Sequence, residues 1–398
     1  MGMDRLSSHW VLDPQLDFLN HGSFGAAPRA VLDFQRALQL RLERQPVQFM
    51  ARDLEPMLNA VSAELAQFVG ADADEIVPVS NATTAVNTVL WSLPIEPGDE
   101  LLTTDHCYNA CKNALDRVAQ ARGARVVVVD LPFPVEDERQ ILATILAAVS
   151  EQTTFALIDH ITSPTALVFP VEQLVRALHE RGVEVMIDGA HALGMLPLDL
   201  HQIGAAFYTA NAHKWLCAPK GAAFLYVERG MQPQIRPLVT SHGASLPLTD
   251  ASQRFRAEFN YTGTLDPTPY LCIPKAIEVL AALVEGGWPE VRRANRALAL
   301  AARRVLCERF ELAPPCPESM LGAIATLILP DAPEDSRTSI LQPDPLQLRL
   351  LQEHRIEVPI FSWPAPPRRL LRVSAQLYNS LEQYERLADA LGILRALQ

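Results

Sequence analysis

The chain has 398 residues, 49% of them hydrophobic, and a formal net charge of −12. That length exceeds the usual single-domain range and predicts two domains with a sizeable core. The acidic balance argues against nonspecific binding to nucleic acid or to an anionic membrane surface, and no apolar run reaches the roughly 18 residues that span a bilayer. The opening MGMDRLSSHW lacks the basic-then-apolar layout of a secretory signal. The six cysteines form no CxxC pair, so a cytoplasmic protein with reduced thiols is expected.

Taken in chain order, short Val/Ile-rich runs alternate with helix-like segments. Strands are expected at Glu75–Val79, Glu100–Thr103, Arg125–Val129, Thr154–Ile158, Glu184–Ile187, Ala206–Thr209 and Ala222–Val227. Helices are expected at Ala82–Trp91, Ala110–Ala121, Glu138–Val149 and Val171–Arg181. This alternation predicts an α/β fold, a mostly parallel sheet sandwiched by helices, with functional residues at the carboxyl ends of its strands. After Pro274 a long helical run (Lys275–Phe310) precedes short strands (Ala323–Leu329, Ile356–Ile360, Leu370–Val373) and a last helix (Leu381–Leu397). The expected organisation is an N-terminal arm (1–24), a large domain (25–265) and a smaller α+β C-terminal domain (266–398). The Pro-rich stretches Ala313–Pro317 and Pro330–Pro345 read as surface loops.

The stretch Ala205–Val227 carries the sharpest chemical signal. Lys214 sits between two apolar runs, where desolvation lowers an amine's pKa and makes it a nucleophile toward a carbonyl cofactor. A turn lysine joining two strands is the competing reading. Ser80-Asn81-Ala82-Thr83 joins a strand to a helix, either an anion site or an ordinary N-cap. Asp188 ends the apolar strand VEVMID, where a carboxylate is costly without a cationic partner. A pyridinium N–H would be one, and His191, three residues on, could orient the carboxylate. Asp159, His160, Thr162 and Ser163 follow another apolar strand and could meet a cofactor phenolate or a substrate. His106 and Tyr108 offer flat side chains at a further strand end. His106, Cys107 and Cys111 lack a fourth ligand in register, so no metal is expected.

The segments LNHGSFGAAP (19–28), VSNATTAVNTVL (79–90), DHITSP (159–164), DGAHALG (188–194), NAHKWLCAPKG (211–221), YTGTLD (261–266) and LRVSAQLYN (371–379) occur together in this order. In this the chain resembles the class-V aminotransferase superfamily of fold-type I pyridoxal-phosphate enzymes, and within it the isopenicillin N epimerase-like group. The resemblance implies pyridoxal 5'-phosphate as cofactor, held by Lys214 as an aldimine, with Asp188 on the pyridine nitrogen. It implies that Asn81, Ala82 and Thr83 bind the phosphate, with Asn211 and His213 assisting, and that Tyr108, or else His106, stacks on the ring. Thr162 or Ser163 would sit near the phenolate oxygen. Arg372 would clamp the substrate α-carboxylate, and Asn20 and His21 would line the substrate side. Thr264 would reach the phosphate of a neighbouring subunit, which implies a homodimer.

The expected chemistry is proton removal at Cα of an amino-acid substrate, with epimerase or racemase activity as the leading outcome. The alternatives are a C–S/β-lyase on a cysteine-derived substrate, a class-V aminotransferase, and a cofactor-binding protein without turnover. The stretch Glu353–Arg372 contains no cysteine, a departure from the cysteine desulfurases.

Overall fold

The computed structural model describes residues 6–332 and 342–396. Residues 1–5 of the expected arm, residues 333–341 of the expected Pro-rich loop and Leu397 of the expected last helix lie outside the described residues. Strand β1 (Asp17–Phe18) belongs to a small pairing described below. The large sheet comprises β2 (Ile76–Val79), β3 (Glu100–Thr104), β4 (Arg125–Val129), β5 (Thr153–Asp159), β6 (Glu184–Asp188), β7 (Phe207–Asn211) and β8 (Ala223–Val227), in the order β2-β8-β7-β6-β5-β3-β4. All pairings from β4 across to β7 are parallel, whereas β8 is antiparallel to both β7 and β2. No helix intervenes between β7 and β8. A parallel return needs such a crossover, so β8 comes back antiparallel. It is the one departure from the parallel sheet that the alternation predicts.

Burial on both faces explains why the middle strands read as continuous apolar runs. Ala156 and Ile158 of β5, with Val185 and Ile187 of β6, enter one core, while Phe155, Leu157 and Met186 enter another. Successive side chains of a strand point to opposite faces, so each strand feeds both cores. Helices Ala82–Ser92 and Asn109–Arg122 pack together over one face, while Val171–His179 packs on β6 over the other. Charged residues at the strand ends therefore project from the rim of a closed apolar slab.

The smaller C-terminal α+β part is built on an antiparallel sheet, β11 (Ile360–Ser362), β12 (Arg369–Ser374) and β9 (Ile324–Leu329), with helices Trp288–Phe310 and Leu381–Ala396 packed together. Strand β10 (Ile356–Glu357) pairs with β1, which ties the N-terminal segment to this part. The expected strand Ile356–Ile360 is interrupted because Pro359 has no N–H to contribute. The expected helix Lys275–Phe310 is two helices, Ile273–Ala282 and Trp288–Phe310. Gly286-Gly287 separates them, and Pro289 opens the second at its first turn. In the stretch Ala313–Pro317, Cys316 is buried and its carbonyl accepts from Arg303, so that stretch is only partly on the surface. Among the described residues no helix is long and apolar enough to cross a membrane.

Candidate active site

A cavity of about 140 Å3 opens at the carboxyl ends of β5, β6 and β7. Its walls include Asn81, Ala82, Thr83, Tyr108, Asp159, Ser163, Asp188, His191, Asn211, His213 and Lys214. These come from five separate segments that only the sheet brings together.

The floor is a pair of carboxylates. Asp159 and Asp188 are register partners at the ends of adjacent parallel strands, and both are buried. One Asp188 oxygen accepts from the Ala190 N–H at 2.9 Å, and the other accepts from the Cys111 thiol at 3.3 Å. Among the described residues Asp159 Oδ2 has no hydrogen-bond partner. Burial raises the pKa of both, and the neighbouring Asp188 charge raises Asp159 further. Two buried carboxyls side by side cannot both carry charge cheaply. A floor of this kind calls for a cationic partner, as the sequence suggested for Asp188.

Lys214 stands in the turn after β7. The Cys217 N–H donates to the Lys214 carbonyl at 3.0 Å, and Ala218 N–H closes back on the Ala212 carbonyl, also at 3.0 Å. Two glycines permit other chain segments to press against this turn. A Cβ on Gly25, at φ +68°, would lie 2.0 Å from the His213 carbonyl oxygen, and one on Gly194, at φ +87°, would lie 2.6 Å from the Trp215 carbonyl carbon. The Lys214 amine contacts His191 Nε2 at 3.1 Å. Burial, reinforced by the Arg372 charge, pushes the amine down to about 8. His191 therefore meets Lys214, and no hydrogen bond joins it to Asp188 as the sequence reading expected.

The anion end is the N-terminus of helix Ala82–Ser92. Asn81 is its N-cap, its side chain accepting from Thr84 N–H at 2.8 Å, and Asn211 Oδ1 accepts from Ala82 N–H at 2.9 Å. The N-cap and the anion-site readings are thus compatible. Among the described residues the Thr83 N–H has no partner and sits at the positive end of the helix dipole. His213 lines the same cavity, and its Nδ1 pairs with the Ala222 carbonyl at 3.1 Å.

Arg372 is buried, and among the described residues it forms no ion pair. Its Nη1 donates to the Ser163 carbonyl at 2.6 Å and to Ser163 Oγ at 3.0 Å, and its Nη2 donates to Ser23 Oγ at 3.2 Å. Its Nε has no partner among the described residues, and the guanidinium lies 4.9 Å from the centre of the Phe361 ring. A buried guanidinium held only by neutral groups keeps its charge free for an anion.

Several expected site residues lie elsewhere. Tyr108 lines the cavity and is 47% exposed, whereas His106 is fully buried outside the lining. His106 Nδ1 pairs with Thr165 Oγ1 at 2.6 Å, its ring meets Trp363 edge-on, and burial pushes its pKa down to about 3. Thr162 turns inward to Thr165 and Leu167, so of that pair only Ser163 reaches the cavity. His160 is likewise buried against the Tyr208 hydroxyl. Asn20 bonds Glu357, and His21 lies behind the lysine turn, between the Tyr378 hydroxyl at 2.9 Å and the Lys214 carbonyl at 3.0 Å. Ser23 and Phe24 line the cavity in their place. They stand in the same LNHGSFG motif, three positions from the pair singled out. Thr264 is exposed, bonds Tyr261 at 3.0 Å and does not line this cavity.

Away from the cavity, Asp72, Glu75 and His201 bring potential ligand atoms within 4.8 Å of one another. Glu75 there closes a capping box with Asp72 and bonds His201, and Arg229 pairs with Asp72.

The family pattern of "Aminotransferase class-V" matches residues 36–387. The chain belongs to the class-V aminotransferase family. It is a pyridoxal-phosphate-dependent enzyme of fold type I. The residues present fit that cofactor: among the described residues, a buried carboxyl oxygen of Asp159 without a partner beside Asp188, a free N–H at a helix N-terminus, and a lysine with a lowered pKa. An isopenicillin N epimerase of Streptomyces clavuligerus is 32% identical over 400 residues, covering 96% of each chain. A probable chloroplastic L-cysteine desulfhydrase of Arabidopsis thaliana is 31% identical over 412 residues, covering 96% of this chain and 84% of that one. The crystal structure of the cysteine desulfurase CsdA from Escherichia coli superposes with a TM-score of 0.80 at 20% identity, covering 100% and 99% of the two chains. The chain is thus related to both an isopenicillin N epimerase and an L-cysteine desulfhydrase, and shares its fold with a cysteine desulfurase.

Proposed function

We propose that this enzyme removes the Cα proton of a cysteine-derived amino acid and expels the sulfur substituent from Cβ. The observation that carries this reading is the one-sided supply of bases. The amine and imidazoles of the cavity, Lys214, His191 and His213, come from the ends of the neighbouring strands β6 and β7. Apart from the floor carboxylates Asp159 and Asp188 and the anion end at Asn81, Ala82, Thr83 and Asn211, the lining offers Ser23, Phe24, Ile161, Ser163, Ala190 and the Tyr108 phenol, whose pKa burial raises. Elimination needs one base; epimerisation needs a second base on the opposite side of the substrate carbon. Two side chains could supply that second base, Tyr108 or His106: His106 is withdrawn behind Thr165, and burial holds the Tyr108 phenol in its protonated form. The desulfhydrase relative supports the same outcome, and the absence of a cysteine from Glu353–Arg372 argues against persulfide transfer.

Pyridoxal phosphate, when bound, supplies the electron sink for charge developing at Cα. Lys214 would hold the cofactor and then act as the base at Cα, with a pKa matched to neutral pH. Asp188 would keep the ring nitrogen protonated, with Asp159 beside it as a neutral acid. Asn81, Ala82 and Thr83, assisted by Asn211 and His213, would hold the phosphate. Tyr108 would cover the ring, and Ser163 would serve the phenolate side. Arg372 would bind the α-carboxylate with the fork geometry that suits a guanidinium. Thr264, exposed in its own chain, would serve the phosphate of a partner subunit in a homodimer.

Epimerisation is the second reading, favoured by the Streptomyces relative and by the half-exposed Tyr108 phenol. Incubation with L-cysteine and S-substituted cysteines in D2O separates the two. Pyruvate, ammonia and released thiol are expected. Inverted, deuterated amino acid without pyruvate would overturn elimination.

A further inference from the structure

The Lys214 amine has one hydrogen-bond partner among the described residues, His191 Nε2 at 3.1 Å. The other ring nitrogen of His191, Nδ1, receives the indole N–H of Trp215 at 3.3 Å. An indole nitrogen can only donate. Nδ1 must therefore be the accepting nitrogen, and a neutral imidazole then carries its proton on Nε2. That proton points at Lys214. An ammonium has no lone pair with which to accept it, whereas a free amine has one.

We propose that Trp215 is a positioning residue that fixes His191 as the Nε2–H tautomer and so selects the free-amine form of Lys214. The inference rests on Lys214 being the cofactor-bearing base, and it adds how that base is set. Trp215 touches neither reacting atom. It acts through His191, and its side chain is locked by near-complete burial and by tilted packing on His21, with ring centroids 4.9 Å apart. The same Nε2–H would be available to an acceptor on the cofactor once Lys214 is engaged.

The surroundings point the same way. His191 faces Lys214, Arg372, His21 and His213, all cationic or neutral groups that oppose a second proton on the ring, and burial lowers its pKa well below the usual value. Lys214 in turn faces Arg372, which opposes its charge, and Asp188, Asp159 and Cys111, which favour it. The two carboxyls alone would hold an ammonium. A donor on the other side of the amine shifts the balance toward the neutral base.

The tautomer can be read directly by long-range 1H–15N spectra of the full chain labelled in histidine, with His191 assigned from the His191→Gln variant. The expected wild-type signature is an unprotonated Nδ1 and a protonated Nε2 across neutral pH. A protonated Nδ1 in the wild type would overturn the proposal, and this measurement needs no folded variant of Trp215. In Trp215→Phe the ring should exchange between tautomers. Trapping of Lys214 by an amine-specific reagent, in protein freed of cofactor, should then slow by roughly 2- to 10-fold below pH 8, the net contribution of one hydrogen bond. Its midpoint should move to higher pH. A folded Trp215→Phe protein with an unchanged tautomer and midpoint would refute the role of the indole. Failure of wild-type Lys214 to take up pyridoxal phosphate at all would instead strike at the proposed function.

Discussion

The two ends of the cavity carry opposite unmet charges. At the floor, Asp159 and Asp188 stand side by side on β5 and β6, one of them with a wholly unpartnered oxygen. At the arginine end, behind the lining residues Ser23 and Ser163, Arg372 is buried among serines, a carbonyl and an aromatic ring. Each arrangement is unfavourable by itself, because buried charge is stabilised only by pairing. Together they describe what would satisfy both: a cationic ring nitrogen at the floor and a carboxylate at the arginine end. Lys214 lies between them with a pKa near the working range. On the function proposed above, the floor would serve the cofactor and the arginine end the substrate, and the two can be broken separately.

The floor should give the larger effect. Asp188→Asn keeps the shape but removes the charge opposite the ring nitrogen. Turnover should fall by about 10²- to 10³-fold, as when one preorganised electrostatic contact is lost, while the visible cofactor band persists. Near-normal turnover would place the counter-charge elsewhere, with Asp159 the first candidate. At the arginine end, Arg372→Lys keeps the charge but loses the fork. KM for the amino acid should rise by roughly 10- to 100-fold with little change in cofactor affinity. A rise in cofactor dissociation instead would merge the two ends into one site. The smallest effect is expected at the wall: Tyr108→Phe should leave elimination within about 3-fold, because packing is kept and only a neutral hydroxyl is lost. A collapse of activity there would revive a two-base, epimerase-like reaction.

Much of this was legible in the chain. Apolar runs located all seven strands of the large sheet, most clearly the middle ones, where both faces are buried. The return direction of β8 was not legible, since it depends on the absence of a helix between two apolar runs rather than on their composition. Lys214 and Asp188 stood out as charges inside apolar surroundings, and Arg372 through the family resemblance. The structure buries Asp188 and Arg372 and half-buries Lys214. Asp188 and Lys214 line one cavity, and Arg372 bonds two of its lining serines. Choices between near neighbours were the weak point. His106 and Tyr108 are two positions apart, as are His21 and Ser23, and a sequence does not say which side chain a strand end or a tight turn aims inward. The Trp215–His191 contact joins residues 24 positions apart through a tertiary fold, and no local pattern announces it.

The measurement that tests the account most directly is borohydride reduction of the protein reconstituted with pyridoxal phosphate, followed by peptide mapping. The account predicts a yellow protein that is fixed on reduction, with the added mass on the peptide containing Lys214 and nowhere else. Label on Lys220 or another lysine, or a protein that stays colourless and unlabelled, would contradict it.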